Sequence, residues 1–139
     1  MQTGDELIIR DVWGAIAYKG PGYFIAGGAG ITPFLAILRW LHQKNKLADN
    51  RLFFSNKTKA DIIYEDELKA MLGGRAFFLL SKEQRPGYLA GRIDKDFLQA
   101  RIEDVSRHCY VCGPDAMVAG ITATMQQMGA AADSVVFEK

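Results

Sequence analysis

Ala26-Gly27-Gly28-Ala29-Gly30-Ile31-Thr32-Pro33 is the stretch that decides the fold. Tyr23 to Ala26, which leads into it, is a short apolar β-rich run. Beyond it Phe34, Ile37, Leu38 and Trp40-Leu41 recur at helical spacing as far as the polar Gln43-Lys44-Asn45-Lys46. The stretch is therefore read as a strand-to-helix turn, with Thr32 placed to cap the helix and Pro33 to be its first residue, where a missing N–H is harmless. At such a turn a phosphate can approach backbone N–H groups and the positive end of the helix dipole if side chains are absent. Gly27, Gly28 and Gly30 supply that absence. Pro33 stands where the G-x-G-x-x-G fingerprint requires its last glycine, so the turn is not that motif.

Outward from the turn, apolar runs and amphipathic helical patterns alternate. The runs Arg51 to Ser55, Ala76 to Ser81, His108 to Cys112 and Ser134 to Phe137 are apolar nearly throughout, as strands covered on both faces should be. Tyr64 to Leu72, stopped by Gly73-Gly74, and Asp94 to Ala100 read as helices. So does the stripe Met117, Val118, Ile121, Met125 and Met128, which Gly129 ends. The alternation predicts an α/β fold, a doubly wound five-stranded parallel sheet with helices on both faces, over residues 20–139. Residues 1–19 stand outside it. Glu6 to Arg10 and Trp13 to Tyr18 read as strands without a crossover helix, an N-terminal β segment left over from another domain.

Composition narrows the function. A net charge of +1 and the lack of a Lys/Arg cluster interleaved with aromatics argue against nucleic acid as a partner. No apolar run is long enough to span a bilayer, and the first residues lack a signal peptide's features, so a cytoplasmic location without membrane insertion is expected. Cys109 and Cys112 form a C-x-x-C, but residues three apart on a strand face opposite sides. With His42 and His108 the only histidines, no metal site is expected.

A second turn of the same kind, Cys112-Gly113-Pro114-Asp115, closes the fourth run of the alternation and opens the last helix. Pro114 sits where the first helical residue is expected. In open α/β sheets ligands lie beyond the carboxyl ends of the strands, where strand order reverses. Here that is between the first and fourth strands of the alternation, so both turns border the crevice.

Three segments now resemble the ferredoxin-NADP⁺ reductase superfamily: Gly27 to Phe34, Ser55-Asn56-Lys57-Thr58 with Asp61 to Leu68, and Cys112 to Met117. The resemblance covers residues 20–139, with Phe137-Glu138 similar to the family's aromatic C-terminal segment. It implies an NAD(P)H-binding domain of a flavin-dependent oxidoreductase that passes hydride from nicotinamide to FAD and then electrons to a redox partner such as flavodoxin, ferredoxin or a haem protein. Gly27, Gly28, Ala29, Gly30, Ile31, Thr32 and Pro33 would hold the pyrophosphate and the nicotinamide side. Ser55, Asn56 and Lys57 would lie near the adenosine ribose. Cys112 would face the nicotinamide ring; Gly113, Pro114, Asp115 and Met117 would border the cofactor, and Phe137 the flavin junction.

The family's Arg-x-Tyr-Ser/Thr flavin segment does not occur, while Gly4 to Ile9 resembles the last strand of its flavin-binding barrel. The chain is thus expected to be a truncated chain or one piece of a split reductase, silent without its flavin-binding partner domain. Asp61 resembles the aspartate of the family's NADH-using members, whereas Lys57 and Lys59 favour NADPH; the expectation leans to NADH. Two rivals stand beside this reading: a non-catalytic dinucleotide-binding or electron-transfer subunit, and a doubly wound transferase of another kind.

Overall fold

The computed structural model describes residues 7–11, 14–18, 22–47, 50–102, 108–129 and 135–137, with side chains for 22–28, 30–47, 50–102 and 108–129. Trp13 lies outside the described residues. Phe137 is placed as backbone, so the expectation for its side chain falls outside as well.

Strands β1 (Leu7–Asp11) and β2 (Gly14–Tyr18) pair antiparallel as a separate two-stranded sheet. β1 lies alongside α1 and β2 alongside β8. The rest is a parallel sheet of six strands: β3 (Gly22–Gly27), β4 (Arg51–Asn56), β5 (Ala76–Leu80), β6 (Leu89–Ala90), β7 (His108–Cys112) and β8 (Val135–Phe137). They lie in the order β6-β5-β4-β3-β7-β8, every neighbouring pair parallel. The five expected strands are all present within a residue or so. The sixth, β6, is two residues long, too short to carry a period. From β3 the chain builds outward through β4, β5 and β6, then returns to add β7 and β8 on the other side, so strand order reverses between β3 and β7.

Alternate residues of the central strands feed two cores. Phe24, Ala26, Leu52, Phe54, Phe78, Tyr110 and Cys112 pack under α1 (Ile31–Gln43) and α2 (Glu65–Leu72), where Phe34, Leu38, Leu41 and Leu68 are fully buried. Tyr23, Ile25, Phe53, Cys109 and Val111 face α3 (Lys95–Arg101) and α4 (Asp115–Gln127), which contribute Leu98, Ile121 and Met125. Cys109 and Cys112 thus lie on opposite faces, as strand alternation requires, both buried and neither in a disulfide. Burial pushes the Cys109 thiol up to about 12, so it stays protonated at neutral pH.

Helix starts depart from the sequence reading. A 3₁₀ turn, Gly28–Gly30, runs directly into α1, whose N-cap is Gly30 with no side-chain cap. Thr32 and Pro33 are therefore the second and third helical residues rather than cap and first. Pro33 costs nothing there, because the first four N–H groups have no intrahelical partner anyway. Pro114 likewise is the N-cap of α4, one place before the expected position. Asp94 caps α3, accepting a hydrogen bond from Phe97 N at 2.9 Å.

Candidate functional site

The turns after β3 and β7 meet backbone to backbone at the point where strand order reverses. A Cβ on Gly30 would stand 2.2 Å from the Cys112 carbonyl oxygen, and one on Gly27 would stand 2.4 Å from Met117 Sδ. These two glycines lack side chains so that the turns can pack together. Gly28 is different, with a left-handed φ of 56° and nothing within 4 Å of where its Cβ would be. Of the three glycines read as keeping side chains from a ligand, Gly28 alone opens onto free space, and the other two make room for protein.

That space belongs to a cleft of about 720 Å³ along the carboxyl edge of the sheet. Gly27, Gly28, Gly30 and Pro33 form one side of it, and Cys112, Gly113, Pro114 and Met117 the floor beside them. Ser55, Asn56, Lys57 and Asp61 line it from β4 and the loop that follows, Ser55 standing beside Gly27 in the pairing of β3 with β4. Three expected residues do not line it. Ile31 is fully buried in the core, Thr32 is half-buried in the first turn of α1, and Asp115 is exposed in the first turn of α4, where its charge suits the helix dipole. The side chains of Ala29 and Phe137 lie outside the described ones. Two lining residues escaped the sequence reading, Ser81 and Ile63. Ser81 follows β5 and could have been found from the rule that sites gather at strand carboxyl ends; Ile63, 40 % exposed, carried no such signal.

Beside the cleft lies an unsatisfied donor. Asn56 is 6 % exposed at the end of β4, and its Nδ2, itself shielded from solvent, has no hydrogen-bond partner among the described residues. A buried amide donor left unpaired costs about 1–3 kcal/mol. Free space above Gly28 at the N-terminal end of α1 fits an anionic group.

Residues 24–123 match the family model described as the oxidoreductase NAD-binding domain. The chain belongs to that family. It is 27% identical over 154 residues to the reductase component of propane 2-monooxygenase from Rhodococcus jostii (strain RHA1), an alignment covering 100% of this chain and 41% of that protein. To NADH-cytochrome b5 reductase 1 of Aspergillus terreus (strain NIH 2624 / FGSC A1156) it is 29% identical over 149 residues, covering 93% and 49%. The flavohem-like FAD/NAD binding domain of nitric oxide dioxygenase from Vibrio cholerae O1 biovar El Tor shares the fold, with a TM-score of 0.79 at 18% identity over 98% of this chain and 54% of that one. The chain spans about half, or less, of the length of the curated relatives it matches. The resemblance carried by the three sequence segments is thereby shown, and no helix among the described residues is long and apolar enough to cross a membrane.

Charge on the β4 side of the cleft in this NAD-binding domain is distributed unevenly. Asp61 Oδ2 accepts from Thr58 N at 3.2 Å and from Thr58 Oγ1 at 3.0 Å, which closes a capping box on the 3₁₀ turn Lys59–Asp61. The aspartate is therefore held in place within the cleft. Lys59 is drawn away from the cleft, to Glu65 at 3.5 Å and over the Tyr88 ring. Lys57 remains, and with Lys82, Arg92 and Lys95 it also lines an adjoining cleft of about 510 Å³ where, among the described residues, the one carboxylate is the α3 cap Asp94. Lys82, Arg92 and Lys95 had no part in the sequence reading, since they meet only when the loop after β5 and the start of α3 come together.

Proposed function

We propose that the chain holds NADH or NADPH in the larger cleft, as the dinucleotide-binding domain of a flavin-dependent oxidoreductase. The observation that carries this is Gly28, left-handed and facing open space at the reversal of strand order. The N–H groups of the Gly28–Gly30 turn and the start of α1 would hold the pyrophosphate, with Ser55, Asn56 and Lys57 beside them on the adenosine side. Cys112, Pro114 and Met117 would border the nicotinamide ring and keep water from one of its faces. When bound, the coenzyme supplies a hydride, for which the FAD of a preceding domain is the acceptor. The part played by this chain is binding and orientation. The antiparallel hairpin β1–β2, outside the parallel sheet, suits the end of such a flavin-binding domain, and residues 1–19 and 20–139 are proposed as the two units. The names of relatives point to cytochrome b5 or an oxygenase as the kind of partner that receives the electrons.

Titrating the chain with coenzyme tests the site. Gly28→Ala has room for its methyl group, so the fold should survive the left-handed φ at a cost of about 1–2 kcal/mol. Affinity should nonetheless fall at least about tenfold, because the methyl occupies the pyrophosphate's approach. A variant that binds as well as the parent would place the site elsewhere.

For the choice of coenzyme, Asp61 favours NADH, as the sequence suggested. The four cations of the adjoining cleft against one carboxylate favour the extra phosphate of NADPH. We infer NADPH, on the number of charges. NADPH should bind more tightly than NADH at low salt, the advantage shrinking as ionic strength rises, and Arg92→Ala should reduce it. Tighter NADH binding at low and physiological salt alike would hand the choice to Asp61.

A further inference from the structure

The β4 side of the cleft carries two loops, residues 57–64 after β4 and residues 81–88 after β5, which supply Lys57, Asp61, Ile63 and Ser81 to its lining. They do not part where the strands end. Ser81 N donates to Asn56 O at 2.9 Å and Lys82 N to Lys57 O at 3.0 Å, so the pairing of β4 with β5 runs on into the loops. One residue further, the Glu83 carboxylate reaches across. Its Oε2 accepts from Lys59 N at 3.1 Å and from Arg85 Nε at 2.5 Å.

Lys59 opens the 3₁₀ turn that carries Asp61, and its N–H has no partner inside that turn. The two orphan donors at the start of the turn are thus taken by two carboxylates: Thr58 N by Asp61 from within, Lys59 N by Glu83 from the neighbouring loop. At its other end the 81–88 loop is fastened again, where the Tyr88 hydroxyl donates to Glu65 at the start of α2, which also receives Lys69 at 2.6 Å. Glu83 itself does not line the cleft.

We propose that Glu83 is a positioning residue for coenzyme binding: by capping the Lys59–Asp61 turn from the adjacent loop it sets Lys57 and Asp61 in the wall that receives the adenosine half of the dinucleotide. The proposal rests on the reading that the cleft binds NAD(P)H. Its distinctive consequence is that the loss should be confined to one half of the ligand. Glu83→Ala frees the turn, whereas Glu83→Gln keeps an oxygen that can accept from Lys59 N and gives up only the charge.

The experiment is calorimetric titration of the parent, Glu83→Ala and Glu83→Gln with NADPH, NADH, ADP and reduced nicotinamide mononucleotide, together with amide hydrogen exchange at Lys59. Glu83→Ala should bind the dinucleotides and ADP about tenfold more weakly. It should bind the mononucleotide as the parent does, and exchange the Lys59 amide faster while the amides of β3 and β4 are unchanged. Glu83→Gln should recover ADP affinity to within about twofold of the parent. Unchanged ADP binding in Glu83→Ala would overturn the proposal, as would equal loss of ADP and mononucleotide or failure of Glu83→Gln to recover. A parent that binds neither dinucleotide would overturn the reading of the cleft itself, and the proposal with it.

Discussion

Gly28 and Gly30 stand two residues apart and look alike in the sequence, yet their substitution should fail in different ways. Alanine at Gly30 drives a methyl group to 2.2 Å from the Cys112 carbonyl oxygen and 2.6 Å from its carbon, both backbone atoms that cannot step aside. Gly30→Ala should therefore lower stability by about 2 kcal/mol or more, read as a fall in the unfolding midpoint. Gly28→Ala should lower it less while losing more affinity for coenzyme. A Gly30→Ala variant as stable as Gly28→Ala would mean that the two turns are not in contact. The sequence could place all three glycines at a strand-to-helix turn, because a short apolar β-rich run gives way to helical spacing across them. It could not say which glycine faces ligand and which faces protein, since that depends on Cys112 and Met117, more than eighty residues away. Asn56 was legible as a candidate from the family pattern, but its unpaired Nδ2 follows only from the packing around the end of β4.

Among the elements, the long strands and helices were legible and their ends were not. β3, β4, β5 and β7 are buried runs whose residue types leave little choice of state, whereas the start of α1 is blurred because the Gly28–Gly30 turn is already helical in sense and needs no side-chain cap. β6 exists because Leu89 and Ala90 find β5 beside them. Helix α2 carries a cluster that no local pattern announces: Glu65, half-buried, receives Lys69, Lys59 and the Tyr88 hydroxyl. Burial works to raise the Glu65 carboxyl, but the hydrogen bonds from Lys69 and Tyr88 together outweigh it and hold the group below the ordinary glutamate range. A carboxyl depressed in the folded state contributes stability in full above its unfolded value and loses it as the pH falls through the folded one. Glu65→Gln should therefore be less stable than the parent at neutral pH by about 1 kcal/mol, and the gap should narrow as the pH falls below the ordinary glutamate value and through the depressed folded one. A gap that persists unchanged into acid would assign the loss to packing instead of charge.

Taken whole, the molecule divides its two cores unequally along the chain. Among the described residues, nearly everything beneath α1 and α2 comes from residues 24–88, with Tyr110 and Cys112 the later contributions. The core beneath α3 and α4 joins Tyr23, Ile25 and Phe53 to Leu98, Cys109, Val111, Ile121 and Met125, and so cannot close until the second half is present. This has a consequence for synthesis on the ribosome. As the chain emerges, the first layer can bury its side chains while Tyr23, Ile25 and Phe53 wait on a bare face of the sheet for a partner still being translated. A nascent chain arrested soon after Ala90 has left the exit tunnel should already resist proteolysis around α1, yet bind a hydrophobic dye or a chaperone through that uncovered face. Arrest after Gln127 has emerged should abolish the dye signal. If protection around α1 appeared only at the later arrest point, the two layers would form in a single step, and the unequal division would leave no trace in the order of folding.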